Sequence, residues 1–241
     1  MTTESILDSL EGGLVVSCQP IDNGPMDNDD IVVAMAKAAE IGGAAGLRIE
    51  GARRAGRVKS AVSIPVIGIV KRDLPDFDVR ITVLEEDINA LADAGVDIIA
   101  IDATDRPRPV TFNTLVKLAK SRGVLVMADC SNYDEGISAA ALGCELIGST
   151  LSGYTGGDVP DEPDLELVSN WTHIGLRVMA EGRFNSTESV GQALRLGAWC
   201  CTVGTAITRT ETVTEWYVNA AQATTNADII QPALWLECFL P

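Results

Sequence analysis

The chain has 241 residues, of which 46% are hydrophobic and 22% are charged, and its formal net charge is −16. This composition is typical of a globular protein, and the length suits one α/β barrel, which usually needs about 250 residues. The strong negative charge argues against a nucleic-acid groove and against binding to an anionic membrane surface. No apolar run approaches the ~20 residues of a membrane-spanning helix, so we expect no membrane association.

Eight short apolar segments are predicted as β-strands, and helical segments separate them along the chain. The strand segments are 14–19, 45–50, 66–71, 98–104, 125–129, 146–150, 178–183 and 201–209. The helices include one that begins within 27–30 and others near 87–94, 111–122, 133–142 and 164–171. Strands that alternate with helices form a parallel sheet, and eight such units favour a closed barrel. We therefore predict an α/β fold, a single-domain (β/α)8 TIM barrel, over residues 1–222.

Polar and charged side chains stand at the C-terminal ends of these predicted strands. They are Gln19, Arg48, Lys71, Asp102, Asp129, Glu181, Arg183 and Arg209. Because the strand ends of a barrel meet at one mouth, we expect these residues to share a pocket. Arg48, in a strand of small residues, either forms a structural ion pair or holds a ligand. Lys71 either lies on the surface or is desolvated enough to act as a base.

The last two predicted strand segments have the features of a phosphate site. Gly182 and Gly204 would let a ligand approach the backbone, and the turn that begins at Thr205 would offer free N–H groups to an anion. Arg183 and Arg209 add positive charge at the same place. The loops after the last two strands of such a barrel are the usual phosphate site. We therefore expect the ligand to be a phosphorylated small molecule.

The strand ends supply a lysine and carboxylates but no histidine, since His173 precedes the seventh strand at the opposite rim. No cluster has metal-ligand spacing, so we expect neither a metal nor another cofactor. A lysine and a carboxylate as acid and base suit proton transfer at a carbon next to a carbonyl. Three alternatives stay open from the residues alone. Lys71 could form a Schiff base in an aldolase or lyase, the barrel could bind a phosphosugar without catalysis, or it could be another phosphate-binding biosynthetic enzyme.

Six segments together resemble the N-acetylmannosamine-6-phosphate 2-epimerase family, and the resemblance runs from Gly13 to Ala220. The segments are Gly46-Leu-Arg-Ile, Pro65-Val-Ile-Gly-Ile-Val-Lys-Arg-Asp-Leu-Pro-Asp, Ala100-Ile-Asp-Ala-Thr, Leu151-Ser-Gly-Tyr-Thr, Ala180-Glu-Gly-Arg and Val203-Gly-Thr-Ala-Ile-Thr-Arg. The resemblance implies a cytoplasmic TIM barrel of sialic-acid catabolism without a redox cofactor. Its activity would be the interconversion of N-acetylmannosamine 6-phosphate and N-acetylglucosamine 6-phosphate.

The same resemblance implies roles for individual residues. Lys71 matches the catalytic lysine and Glu181 the pocket carboxylate. Arg48 and Asp129 match substrate-positioning residues, and Arg209 matches a phosphate contact. The implied mechanism removes the C2 proton of the open-chain aldehyde and returns a proton to the other face, with one base or two.

The six cysteines lack metal-type spacing, and the adjacent Cys200 and Cys201 would point to opposite sides of a strand. We interpret the cysteines as buried thiols in a reducing cytosol rather than as a disulfide framework. The N-terminal segment carries Glu4 and Asp8 and lacks the pattern of a signal peptide. These features predict a cytoplasmic protein.

The sequence departs from the family pattern at Cys130, where a larger aliphatic residue is more usual, and in an extended C-terminal segment at 223–241. Its large apolar side chains are Ile229, Ile230, Leu234, Trp235, Leu236 and Phe239. A free tail would leave these side chains in water, so we expect the segment to dock on the barrel or on a second copy of the chain. Packing across a two-fold contact would give a homodimer.

Overall fold

Eight parallel strands close into a barrel in the computed structural model, which describes residues 2–226. The strands are β1 (Gly13–Cys18), β2 (Gly46–Glu50), β3 (Val66–Ile69), β4 (Ile98–Asp102), β5 (Leu125–Asp129), β6 (Leu146–Gly148), β7 (Val178–Ala180) and β8 (Cys200–Val203). Each strand pairs with the next along the chain, and β8 pairs with β1 to close the ring. The predicted (β/α)8 barrel is confirmed.

Ten helices among the described residues surround or cap this barrel. They are α1 (Thr3–Leu10), α2 (Asp29–Ile41), α3 (Ala52–Lys59), α4 (Glu85–Asp93), α5 (Phe112–Ser121), α6 (Tyr133–Ala141), α7 (Leu165–His173), α8 (Thr187–Arg195), α9 (Thr205–Thr208) and α10 (Thr210–Asn226). The predicted start of the first barrel helix is confirmed, because Asn28 Oδ1 accepts a hydrogen bond from the Asp30 N–H at 2.8 Å. Across the described residues, no helix has the length and apolar character needed to cross a membrane.

The side chains of each strand alternate between the barrel interior and the surrounding helices. On β8, Cys200 lies in the inner core with Ile67 of β3 and Met179 of β7. The next residue, Cys201, packs instead in an outer cluster with the helices. Residues two positions further along each strand return to the interior, and near the C-terminal ends these inward positions are polar. The same alternation that fills the core with apolar side chains therefore supplies the polar groups of the mouth.

The N-terminal end of the barrel is covered by α1, which the sequence did not lead us to predict. Its apolar residues Ile6, Leu7 and Leu10 belong to the inner core. The indole N–H of Trp199, which immediately precedes β8, donates to the Leu7 carbonyl at 2.9 Å. Covering this end places the functional surface at the opposite, C-terminal face.

Five strands end one to three residues earlier than predicted, and the predicted strand segment 201–209 is wrong beyond Val203, because the helix α9 begins at Thr205. Gln19 and Glu181 each follow the last residue of their strand, and Lys71 lies two residues beyond β3. The chain turns sharply after Glu181, because Gly182 and Arg183 both have positive φ, at 101° and 61°. The predicted boundary between barrel and tail at residues 222 and 223 falls inside α10. The apolar residues of the predicted tail lie outside the described part of the chain.

Candidate active site

A cavity of about 480 Å³ opens at the C-terminal ends of the strands. Of the residues predicted to meet there, the cavity is lined by Gln19, Lys71, Asp102, Glu181, Gly182, Arg183, Gly204, Thr205 and Arg209. Strands from all sides of the barrel contribute, as expected for a site at this face. The predicted convergence of strand ends is therefore what the structure shows, and the chemical roles assigned to these residues remain predictions.

Arg48 and Asp129 lie just below the cavity rather than among the residues that line it. The Arg48 guanidinium donates to both Asp129 carboxylate oxygens, at 3.0 and 2.7 Å, and to Glu181 Oε2 at 2.8 Å. Arg48 is 1% exposed and Asp129 is 0% exposed. Thr150 also donates its hydroxyl to Asp129, at 2.6 Å. The ion pair considered for Arg48 is present, and it fixes the position of Glu181.

Glu181 combines a fixed position with an unusual protonation equilibrium. Its side chain faces the cavity directly above the Arg48 ion pair. Burial is the main cause that raises the pKa of the Glu181 carboxyl; the Arg48 guanidinium opposes the shift and the charge of Asp129 adds to it, so that the pKa is about 7. A carboxyl of this kind holds its proton in a substantial fraction of molecules near neutral pH. It can therefore donate a proton or accept one.

Lys71 also has a shifted pKa, and the shift is in the direction opposite to that of Glu181. Burial lowers the pKa of its ammonium below the usual 10.5, and the positive charges of Arg48 and Arg209 lower it further. Among the described residues, none accepts a hydrogen bond from its side-chain nitrogen, whereas the carboxylates Asp129 and Asp102 are held by arginines. A desolvated, unpaired lysine amine is suited to act as a base or as a nucleophile.

The two groups come from opposite sides of the barrel. Lys71 follows β3 and Glu181 follows β7, which are four strands apart in a ring of eight. Side chains from diametrically opposite strands face each other across the mouth. A substrate carbon held between them would present one face to each group.

Three of the four predicted phosphate residues, Gly204, Thr205 and Arg209, line the cavity in the segment that follows β8. Gly204 directly follows β8, and Thr205 begins the short helix α9. Arg209 follows α9, and its Nε donates to the Gln19 carbonyl at 3.1 Å. The terminal guanidinium nitrogens of Arg209 bond to no other described residue. Arg209 is therefore anchored at one edge, with donors left for an anion.

Arg183 is held by the glycine-rich loop that follows β6. Its Nε donates to the Glu162 carbonyl at 2.8 Å and its Nη1 to the Ser152 carbonyl at 2.6 Å. Its guanidinium also stacks on the Tyr154 ring, 5.1 Å from the ring centroid. The predicted substrate contact of Arg183 thus competes with a visible structural role, which is to fasten this loop at the cavity rim.

Asp102 faces the cavity but is occupied by neighbouring groups. Its carboxylate accepts from the Thr104 hydroxyl at 2.7 Å, from Arg106 at 2.8 Å and from Arg108 at 3.1 Å. These hydrogen bonds hold the loop after β4 in place. Asp102 is therefore suited to shaping the cavity wall rather than to proton transfer.

The cavity is also lined by residues that the sequence analysis missed, namely Ser17, Asp78, Arg80, Arg106, Thr150, Asn185 and Thr202. Extending the two-residue alternation of the strands would have found Ser17 and Thr202, because both occupy inward positions near strand ends. Arg80 lies in the loop between β3 and α4, where no periodic pattern points to the mouth. Within residues 2–226, no three His, Cys, Asp or Glu side chains are grouped so that they could hold a metal ion.

Comparison with known proteins gives a consistent result. A family model described as "Putative N-acetylmannosamine-6-phosphate epimerase" matches residues 32–223. A protein of Glaesserella parasuis serovar 5 is 54% identical over 220 residues, which cover 91% of this chain and 95% of the relative. A protein of Haemophilus influenzae is 50% identical over 223 residues, which cover 92% and 98%. Both relatives are described as "Putative N-acetylmannosamine-6-phosphate 2-epimerase".

Solved structures agree with these sequence relatives. The N-acetylmannosamine-6-phosphate 2-epimerase from Clostridium perfringens matches with a TM-score of 0.86 and 36% identity, covering 89% of this chain and 96% of that one. The thiamine phosphate pyrophosphorylase from Pyrococcus furiosus matches with a TM-score of 0.59 at 14% identity, so it shares the fold alone.

Proposed function

The chain belongs to the N-acetylmannosamine-6-phosphate 2-epimerase family, and from this premise we propose that it interconverts N-acetylmannosamine 6-phosphate and N-acetylglucosamine 6-phosphate. These sugars differ only in configuration at C2. The observation that carries the proposal is the placement of Lys71 and Glu181 on opposite sides of one cavity, each with a pKa shifted toward neutrality. The interconversion is a reaction of amino-sugar metabolism, and we place it in sialic-acid catabolism.

The chemistry proceeds through the open-chain aldehyde, in which the C1 carbonyl acidifies the C2–H bond. One group of the pair takes the C2 proton, and the electrons of the C–H bond pass into an enolate with its negative charge on the C1 oxygen. The other group then gives a proton to the opposite face of C2, and the carbonyl re-forms. The proton lost and the proton gained balance, so neither an oxidant nor a reductant is needed.

Two groups on opposite faces give a two-base mechanism. In one direction Lys71 accepts the proton as an amine and Glu181 donates one as a carboxylic acid. In the other direction the roles reverse. Arg48 and Asp129 act through Glu181, because their ion pair holds its carboxylate at the cavity floor. The direct substrate contact predicted for Arg48 and Asp129 would require a substrate group to reach these two side chains from the cavity above.

The 6-phosphate is assigned to the opposite end of the substrate from the reacting carbon. Gly204, Thr205 and Arg209 line the cavity after β8, and Gly182 lines it in the neighbouring loop after β7. Backbone N–H groups and the free end of the Arg209 guanidinium provide charge-assisted hydrogen bonds to phosphate oxygens. Gln19 supports this arrangement, because its carbonyl accepts from Arg209 Nε.

Replacing Arg209 by Ala is expected to raise KM for N-acetylmannosamine 6-phosphate by roughly 10- to 100-fold, since a hydrogen bond to a charged group contributes about 1.5–3 kcal/mol. A smaller loss of kcat is also expected, because remote binding energy orients the reacting centre. Steady-state kinetics on the phosphorylated and the unphosphorylated sugar measure the effect. An equal loss on N-acetylmannosamine itself would show that Arg209 is not a phosphate ligand.

The proposed activity is tested directly by incubating the protein with N-acetylmannosamine 6-phosphate and resolving the two epimers by NMR. Formation of N-acetylglucosamine 6-phosphate is expected. Ligand-induced thermal stabilisation without any turnover would indicate a barrel that only binds phosphosugars. A covalent adduct at Lys71 after borohydride treatment with substrate would indicate Schiff-base chemistry instead.

We also assign the protein to the cytoplasm. The described cysteines are unpaired thiols, and those at 18, 130, 200 and 201 are buried. Unpaired buried thiols suit a reducing compartment.

A homodimer is the assembly that we propose, and α10 supports it. Every side chain from residue 214 to residue 223 of this helix is exposed. Tyr217 is 75% exposed, and Trp216 and Val218 are partly exposed beside it. An apolar groove lined by Met35, Ala38 and Ile207 lies near the start of the same helix. A helix with large apolar side chains in water is expected to gain stability by packing against a second copy.

Deleting residues 227–241 should weaken this dimer, because it removes several large apolar side chains that contribute about 1.5–3 kcal/mol each when buried. Light scattering and sedimentation on the full-length and truncated chains measure the change in mass. A truncated protein with an unchanged mass and dimer affinity would show that the segment does not form the interface. In that case docking on its own barrel, for instance in the groove by Met35, becomes the assignment.

A further inference from the structure

Thr202 lines the cavity, and its buried hydroxyl has no hydrogen-bond partner among the described residues. The residue lies on β8 and is 2% exposed. Ser17, on the adjacent strand β1, differs, because its hydroxyl accepts from Gln19 Nε2 at 2.7 Å. Buried polar atoms in native proteins nearly always have partners, so an unpaired one that lines a cavity points to a ligand.

The register of the strands fixes where this hydroxyl lies. Ala180 of β7 pairs with Cys201, so Glu181, the next residue, stands beside Thr202. Gly204, which directly follows this strand, is the next inward position, about 6–7 Å nearer to the mouth at roughly 3.3 Å per residue. Thr202 therefore lies beside Glu181, the proposed proton-transfer residue, and one inward position below Gly204 at the proposed phosphate end.

Packing alone does not explain a threonine at this position. Valine has the same shape and would bury no unpaired hydroxyl, and the inward neighbour below, Cys200, belongs to the apolar core. A hydroxyl retained at the boundary between that core and the cavity is costly unless a partner arrives.

We propose that Thr202 is a substrate-positioning residue whose hydroxyl hydrogen-bonds to a hydroxyl in the middle of the sugar chain, between C2 and the C6 phosphate. This assignment rests on the proposed epimerase function. In an open-chain substrate with C2 at Glu181 and the phosphate at Gly204, the hydroxyls on C3, C4 and C5 pass along β8. The bond holds C2 in line with Lys71 and Glu181, so it acts on orientation rather than on proton transfer.

Thr202→Val tests this role because it removes the hydroxyl and keeps the shape. The expected result is a loss of kcat/KM of roughly 10- to 100-fold, since a substrate hydroxyl would be left buried without a partner. The melting temperature should stay the same or rise, because no bond within the protein is lost. Thr202→Ser, which keeps the hydroxyl, should retain most of the activity.

Thr172→Val is the matched control. The Thr172 hydroxyl is bonded within the protein, to the Leu196 carbonyl at 2.7 Å, and it lies at the end of α7, away from the cavity. Its replacement should lower the melting temperature and leave kcat/KM unchanged, which is the opposite pattern to Thr202→Val.

Substrates that lack the 3-, 4- or 5-hydroxyl identify the partner. For one of them, the native protein and Thr202→Val should have equal kcat/KM, because the bond is absent in both. Failure of Thr202→Val to fold, a lower melting temperature, unchanged activity, or equal losses on every deoxy analogue would each overturn the proposal. A native protein without epimerase activity would instead overturn the proposed function, so the two failures are distinguishable.

Discussion

Replacing Lys71 by Ala is expected to reduce kcat/KM for epimerisation about 100- to 10,000-fold, the usual effect of removing a general acid or base. The side chain lies beyond β3 at the cavity, outside the apolar core, so the barrel should keep its melting temperature. Circular dichroism and thermal denaturation check the fold, and steady-state kinetics measure the loss. Near-normal turnover by a folded Lys71→Ala protein would remove the assigned role.

Two further variants test whether position 71 needs a base or only a positive charge, and whether the loss is specific to this lysine. Lys71→Arg should also be inactive, because a guanidinium does not release its proton near neutral pH. Lys117→Ala, which removes an exposed lysine on α5, should be as active as the native protein. A loss with Lys71→Ala that Lys71→Arg restored would point to a need for positive charge rather than for a base.

Glu181→Gln should also reduce kcat/KM by about 100- to 10,000-fold. Glutamine keeps the shape and one acceptor for Arg48, and the Arg48–Asp129 pair remains intact. The barrel should therefore fold, and the loss would report the missing proton transfer. Turnover within a few-fold of the native rate would show that Glu181 does not exchange a proton with C2.

The pH dependence of the native enzyme carries the same information. At low pH both groups hold protons and no base is present, and at high pH neither holds one and no acid is present. The profile of kcat/KM should therefore be bell-shaped, with its acid limb above the ordinary glutamate value of 4.5 and its alkaline limb below the ordinary lysine value of 10.5. Glu181→Gln should lose the bell shape.

The barrel could be predicted because each strand is recognisable from a short stretch of sequence, namely an apolar run with polar residues at its C-terminal end. A run such as Leu125–Asp129 reads as a buried strand with one polar end, and β5 has these same bounds. The convergence of Lys71 and Glu181 then follows from the geometry of any closed barrel. Their positions on opposite sides follow as well, once the strands are numbered.

The parts that sequence did not reveal depend on contacts between distant segments. Arg48 could not be placed under the cavity floor without knowing that Asp129 and Glu181 both point at its guanidinium. The sequence did not indicate that Arg183 holds the loop at Ser152, because the hydrogen bond from Arg183 to the Ser152 carbonyl joins two separate loops. The unpaired hydroxyl of Thr202 is likewise visible only when every neighbouring acceptor has been placed.

Exchange of the C2 proton with deuterated water, followed by NMR, tests the central claim that Lys71 and Glu181 act on opposite faces of C2. In the native protein, newly formed epimer should carry deuterium at C2 while the remaining substrate stays unlabelled at early times. Glu181→Gln should exchange the C2 proton of one epimer only, without epimerisation, and Lys71→Ala should exchange that of the other epimer only. Exchange of the same epimer by both variants, or of both epimers by Glu181→Gln, would contradict the account.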